Sequence, residues 1–408
     1  MKKAFFLVII LALFMLAGCS NNRQIKLTLW TIDFSGNESI NASFLKTLEE
    51  FREAYPHINV VLDTGTGITA NKFPDVFFNY AEGRMKSFAN TGGLLPLNDY
   101  LDQEVWDRIL GGTLTDLTFD ENVYGLPFTL ACSVLFVNRE MYCRYNLKIP
   151  ETWDEFLFSV RTFIRAGIIP MTAGGGDRLH TSMFMDLLML RAAGYQECYD
   201  TFNKTENGTF LSSGIKLAAE KFDELKRAGA FPENITALTR EESEELFYAG
   251  VIPIYVNTNW TAANSRVFTS VVKENVIAIP FPVIPGAPGQ LHDFLGGADG
   301  LFSVHANTRH KEAAVLLCQF LAENLSKNAY LAGVGIPAWK HDMEIPEADP
   351  LIASIISMTD NAESFLLWGN AILESKDSEA FMDISHEMLM GSITPDEFVN
   401  KLQTAIYR

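Results

Sequence analysis

The indole side chains of this sequence sit where binding chemistry could use them. Trp260 follows the apolar run Ile252 to Val256 and the polar turn Asn257-Thr258-Asn259, with Asn259 a possible polar partner. Trp368 lies in FLLWGN (Phe365 to Asn370), and Trp339 follows Gly333-Val334-Gly335-Ile336-Pro337. Trp30 closes the alternating run IKLTLW (Ile25 to Trp30), with Thr31 and Asp33 just beyond it. Asn79, Tyr80 and Glu82 follow PDVFF (Pro74 to Phe78). Asp299 stands in LGGADG (Leu295 to Gly300), where glycines allow a backbone to approach a guest closely. Flat rings stack on apolar C–H faces, while carboxylates and amides bond to hydroxyls. Residues of these types at strand ends suit an uncharged, hydroxyl-rich guest. Structural readings stand beside each: a core role for Trp260, Trp339 and Trp368, a solvated loop for Asp33, a turn for Asp299.

Catalysis finds little support in the same survey. Glu241, Glu242, Glu244 and Glu245 cluster on a helical stretch and read as a solvated face. There is no GxSxG, no HExxH and no Cys/His/Asn arrangement, so no nucleophile–base pair emerges and an enzyme is not expected. Gly174-Gly175-Gly176 lacks the lysine and serine of a phosphate loop and reads as a flexible turn. His180 beyond it, near Asp177 and Thr181, could donate to a hydroxyl or be a surface histidine. In TWDEF, Thr152 and Glu155 fit a capping box, which makes Trp153 structural. Cys132, Cys143, Cys198 and Cys318 show neither CxxC pairing nor metal-ligand spacing. They read as small buried apolar groups, with a disulfide as the alternative. No metal or cofactor is expected.

The N-terminus carries an address. Lys2 and Lys3 precede the apolar run Ala4 to Ala17, which is shorter than the ~20 residues a membrane span needs. Leu16-Ala17-Gly18-Cys19 resembles a bacterial lipobox. That resemblance implies a lipoprotein signal over 1–18, lipid on Cys19, a tether over 19–24, and a place outside the cytoplasm, held to the cell membrane. An ordinary signal peptide is the alternative. The formal charge of −18 is strongly acidic, which argues against nucleic-acid partners. The length of 408 residues suggests two domains.

Elements that could position the candidates follow from periodicity. Strands are expected at Ile25 to Trp30, Ile58 to Leu62, Pro74 to Phe78, Ser133 to Val137, Ile252 to Val256 and Val276 to Ile279. Helices are expected over Ile40 to Tyr55, Trp153 to Ala166 and Lys311 to Leu325. Short apolar strands alternating with helices imply mostly parallel sheets flanked by helices, an α/β fold.

Several stretches, in order, resemble the family of extracellular solute-binding proteins that bind carbohydrates, the group that includes maltose-binding protein. They are LTLWT (27–31), FPDVFF (73–78), GGLLPLNDYL (92–101), VYGLPFTLACSVLFVNREMY (123–142), PETWDEF (150–156), LFYAGVIPIYVNTNW (246–260), KEAAVLLCQFL (311–321) and GVGIPAW (333–339). The resemblance implies a two-lobe, periplasmic-binding-protein-like fold of type II. It places crossings near Phe128 to Cys132, Val276 to Pro280 and Glu323 to Tyr330. Lobe one would then hold 25–129 and 279–325, and lobe two 130–278 and 326–408. Trp260 matches the family's stacking tryptophan, and an aromatic often faces the cleft at the place of Trp368. An aromatic and an acid are common at Tyr80 and Glu82. The implied protein is a monomer that closes on a sugar and delivers it to the permease of an ABC importer. A sensory receptor, or a receptor for a peptide or polyamine, is the alternative. Two departures stand out: Ala131, Cys132 and Ser133 include no carboxylate where some members hold one, and Asp63 to Phe73 is a short Gly/Thr loop where the family has room for a helix.

Overall fold

A computed structural model describes residues 24–32, 38–63, 73–81, 83–110, 112–172, 174, 176–262, 270–340 and 350–408. The signal, Cys19 and all of the tether but Gln24 lie outside the described residues. So do Asp33, Glu82 and the 64–72 part of the Gly/Thr loop.

Runs of alternating or wholly apolar residues become strands: β1 (Ile25–Trp30), β2 (Ile58–Leu62), β3 (Val76–Tyr80), β4 (Leu126–Pro127), β5 (Thr129–Asn138), β6 (Met171–Thr172), β7 (Ile254–Thr258), β8 (Val276–Ile279), β9 (Asp293–Ala298), β10 (Gly300–Val304), β11 (Ile336–Pro337) and β12 (Ser364–Leu366). They form two sheets. The first runs β2-β1-β3-β10-β4; the second runs β12-β9-β5-β7-β6, with β8 and β11 also paired to β5. In the first, β1 is parallel to β2 and β3, so their C-terminal ends emerge together at Trp30, Leu62 and Tyr80. In the second, β7 is parallel to β6 and β12 is parallel to β9. β5 is buried at every position, as a strand covered on both faces must be.

The principal helices are α1 (Glu38–Ala54), α2 (Trp153–Arg165), α3 (Arg178–Ala193), α4 (Ser213–Ala228), α5 (Arg240–Tyr248), α6 (Lys311–Leu331), α7 (Pro350–Asp360) and α8 (Ser375–Met390). Phe44, Leu48 and Phe51 of α1 and Leu317, Leu321 and Leu325 of α6 cover the first sheet at Leu27, Leu29 and Phe302. Phe156, Phe184 and Phe222 of α2, α3 and α4 cover one face of the second sheet at Leu135, Val137 and Ile254. Each such side chain contributes about 1.5–3 kcal/mol by leaving water. Thr152 caps α2 by accepting from the Glu155 backbone N–H, and Glu155 accepts from the Glu151 N–H.

The chain passes from the first sheet to the second between Pro127 and Thr129. It returns between Ala298 and Gly300, not at Val276 to Pro280. β8 stays in the second sheet, paired with β5 from Val276↔Asn138 to Ile279↔Leu135. Alternation marks a segment as a strand, but its neighbour is chosen by contacts far away in sequence. Residues 279–298 therefore go with the second lobe. The third passage also moves: α6 runs unbroken past Glu323 to Tyr330, and the chain then reaches β11, which pairs with β5 at Thr129 and Leu130. Gly296 makes the β9–β5 approach possible. Its φ is +142°, and a Cβ there would collide with the Ala131 carbonyl oxygen. Cys132, Cys198 and Cys318 are buried free thiols; Cys143 is also free but exposed, because it faces outward from a short helix after β5.

Candidate functional site

The two lobes join around Thr129 to Ser133 of β5, with Ala298 to Gly300 and β11 beside it. Carboxyl ends of β1 and β3 point to this seam from one side, and those of β7, β9 and β12 from the other. In open α/β sheets, ligands bind beyond carboxyl ends of strands.

Trp260 is carried there by the turn after β7. It is half-buried, and its indole N–H donates to Asp299 Oδ2 at 3.0 Å. A cavity of about 10 Å³, room for roughly one water, lies between it and Gly335, Ile336, Ile352 and Ile355. Trp368, just past β12, is also half-buried and donates to Ser133 Oγ at 3.1 Å. An indole has one donor and no acceptor. With both donors satisfied within the protein, what these residues have left to offer is ring surface. Asp299 is half-buried, and its backbone N–H bonds to the Thr129 carbonyl.

On the first lobe, Trp30 is half-buried at the end of β1 and Tyr80 is 39% exposed at the end of β3, edge-on to Phe78. Asn79 is 7% exposed; its Oδ1 accepts from the Tyr80 N–H, while its Nδ2 finds no partner within the protein. Thr31 Oγ1, next to the end of β1, is likewise buried and unpaired. Such groups are rare in native proteins and ask for a polar partner.

Other candidates are placed elsewhere in role. Trp339 is 1% exposed and donates to the Pro127 carbonyl at 2.6 Å, so it packs in the core behind the crossing. Asn259 is buried and fully engaged: Oδ1 accepts from the Cys132 N–H at 2.8 Å and Nδ2 donates to the Leu130 carbonyl at 3.3 Å. Its carboxamide continues the β5 ladder where β7 ends. The His180 side chain is only 10% exposed, against the expectation of a surface histidine. It lies over Gly174, where any Cβ would collide with it, and its Nδ1 meets Asp177 Oδ2 at 3.0 Å. That hydrogen bond, above all, lowers the Asp177 carboxyl to about 2. Glu244 departs from the solvated-face reading. It is 4% exposed and accepts from Arg240 Nε at 2.9 Å and Tyr255 OH at 3.0 Å, while Glu241, Glu242 and Glu245 stay exposed.

Three residues at the seam escaped sequence reasoning. Ser133 holds Trp368. Asp116, on the turn Thr115–Leu117, comes from the first lobe, and Tyr195 from the second. TLTDLT and GYQEC carry no local sign of convergence; only the fold brings them to one place. Among the described residues no cluster could hold a metal ion, and no helix is long and apolar enough to cross a membrane.

Residues 35–324 match the family model described as bacterial extracellular solute-binding protein. A melibiose/raffinose/stachyose-binding protein of Bacillus subtilis (strain 168) is 24% identical over 262 residues, 60% of this chain and 59% of that protein. The chain thus spans less than two thirds of the length of the curated relatives it matches. Among solved structures, one from work on xylan utilization by the thermophilic bacterium Caldanaerobius polysaccharolyticus is 30% identical, with a TM-score of 0.80, covering 94% of this chain and 100% of that one. A chitin oligosaccharide binding protein, 24% identical, aligns with a TM-score of 0.77 over 93% of this chain and 98% of that one, and so shares the fold. With its two-lobed α/β architecture and a family match over most of its length, this chain belongs to the bacterial extracellular solute-binding proteins, which bind solutes and are not enzymes.

Proposed function

We propose that this chain captures an uncharged sugar or oligosaccharide between its lobes and delivers it to the permease of an ABC importer. In this reading it works as a monomer outside the cytoplasm, held to the membrane by lipid on Cys19. The carrying observation is the pair Trp260 and Trp368. They come from separate elements, both are half-buried at the seam, and both indole N–H groups are already bonded, to Asp299 and Ser133. Rings without free donors favour apolar ring faces of a guest. Asn79 and Thr31 supply unpaired polar groups from the opposite lobe, and Tyr80 and Trp30 further aromatic surface. Asp33 and Glu82 remain candidate hydroxyl acceptors by position in sequence. His180 keeps Nδ1 on Asp177, so its part is at most at the rim.

The names of relatives concern melibiose, raffinose and stachyose, and xylan utilization. A fitting panel is therefore melibiose, raffinose, stachyose and xylo-oligosaccharides, with a peptide and a polyamine as contrasts. A ligand at 100 times its Kd stabilises the folded chain by about 2.7 kcal/mol. We expect a thermal shift with at least one sugar and none with the contrasts. A shift with the peptide or polyamine alone would refute the sugar reading.

A further inference from the structure

Asp116 is a carboxyl group set against the seam with no partner. It is half-buried and makes no hydrogen bond or ion pair among the described residues. Its Oδ2 lies 3.2 Å from where a Cβ on Gly297 would stand, and Leu367 Cδ2 lies 3.3 Å from that same point. Gly297 sits in β9 opposite Ala131 of β5, two residues before the Asp299 that holds Trp260. Leu367 immediately precedes Trp368. Tyr195 of the second lobe feels the same charge: burial, and then the Asp116 carboxylate, push its phenol up to about 12. One carboxyl of the first lobe thus stands against β9 and the Leu367 segment of the second.

A carboxylate partly withdrawn from water without a partner is disfavoured, and burial pushes this one up to about 7. A structural aspartate in such a place would be paired with a cation or with backbone N–H groups. A hydroxyl donor arriving with a ligand would supply the missing bond, and the lack of a side chain at Gly297 is what lets the Asp116 carboxyl and Leu367 come this close to β9.

We propose that Asp116 is a ligand-binding residue that accepts a hydroxyl of the captured neutral sugar, beside Gly297 and Leu367 where the two lobes join. The proposal rests on the sugar reading above. It adds a selectivity rule: an acidic sugar would bring a second carboxylate to the same place, so uronic acids are disfavoured.

The test is titration calorimetry on the full chain, on Asp116→Asn and on Asp116→Ala, with raffinose, stachyose and xylotetraose, alongside melting of the ligand-free proteins. Losing a hydrogen bond to a charged group predicts affinity about 10- to 100-fold weaker in both variants. Ligand-free melting should hold steady or rise, since a half-buried carboxyl without a partner is removed. Variants that bind as tightly as the parent overturn the proposal and leave the sugar reading intact. Lower melting with unchanged affinity makes Asp116 structural and also overturns it. A parent chain that binds none of the three sugars, in a screen where the peptide or polyamine binds, overturns both. Should the variants fold poorly, carbodiimide labelling of the parent decides: bound sugar should protect the peptide containing Asp116, and unchanged labelling refutes its role.

Discussion

Single side chains at the seam divide into those that hold the fold and those with something left to offer. Trp260 belongs with the second group, because its N–H is bonded while its ring is only half-buried. Trp260→Ala should weaken sugar binding about 10- to 100-fold, the worth of one stacked aromatic, with little change in far-UV circular dichroism. Glu244 belongs with the first. Glu244→Ala leaves Tyr255 OH and Asn257 Nδ2 buried beside a vacated acceptor, and urea unfolding should show a loss of roughly 2–4 kcal/mol. Asp177 gives a pH signature. Its folded value, about 2, lies below that of an ordinary aspartate, about 3.9. The folded state therefore prefers the ionised form, so its contribution is full above pH 4 and is lost as pH falls through 2. His180→Ala should raise that carboxyl toward its usual value and flatten the denaturation midpoint between pH 4 and 2.

At the level of elements, β5 organises everything around it. It pairs with β7, β8, β9 and β11, and where β7 runs out the Asn259 carboxamide takes over the ladder. Asn259→Ala leaves the Cys132 N–H buried and unpaired, a change expected to cost about 1–3 kcal/mol in equilibrium unfolding. Asn259→Asp should recover only the Cys132 bond, since a carboxylate has no donor for Leu130. Positions of helices and strands were largely legible: β1, β2 and β8 begin and end where alternation places them, and α2 starts at its N-cap Thr152, although Glu155 reaches back to the Glu151 N–H rather than closing a capping box. Boundaries moved where pairing extends an element beyond its apolar core. β5 reaches from Thr129 to Asn138 because four partners use its full length, although the apolar signal alone marks only Ser133 to Val137.

For the whole molecule, the joint between lobes is a small set of backbone segments, at 127–129, 298–300 and 331–336. Periplasmic binding proteins close by bending at hinges, driven by a ligand's higher affinity for the closed state. The joint is also packed tightly: the core of the first sheet continues across β5 to Tyr255, Ile352 and Ile355. Gly296→Ala places a methyl against the Ala131 carbonyl and strains a φ of +142°. It should cost about 2 kcal/mol or more in thermal unfolding, with the loss falling at the joint as raised hydrogen exchange in β5 and β9.

The sequence by itself determined the local elements, the absence of a recognisable catalytic pair, and the ordered blocks that point to a solute-binding family. These are readable because periods of 2 and 3.6 residues and capping motifs act over a few neighbours. Tertiary structure alone decided which residues stand together. Trp368 and Ser133 meet across 235 positions, and Trp260 and Asp299 across 39. The same long-range packing drew Trp339 and Glu244 inside, kept β8 in the second sheet, and set Asp116 of one lobe near Tyr195 of the other. Burial and pairing are properties of surfaces that exist only once distant segments have come together, so no window of the chain could announce them.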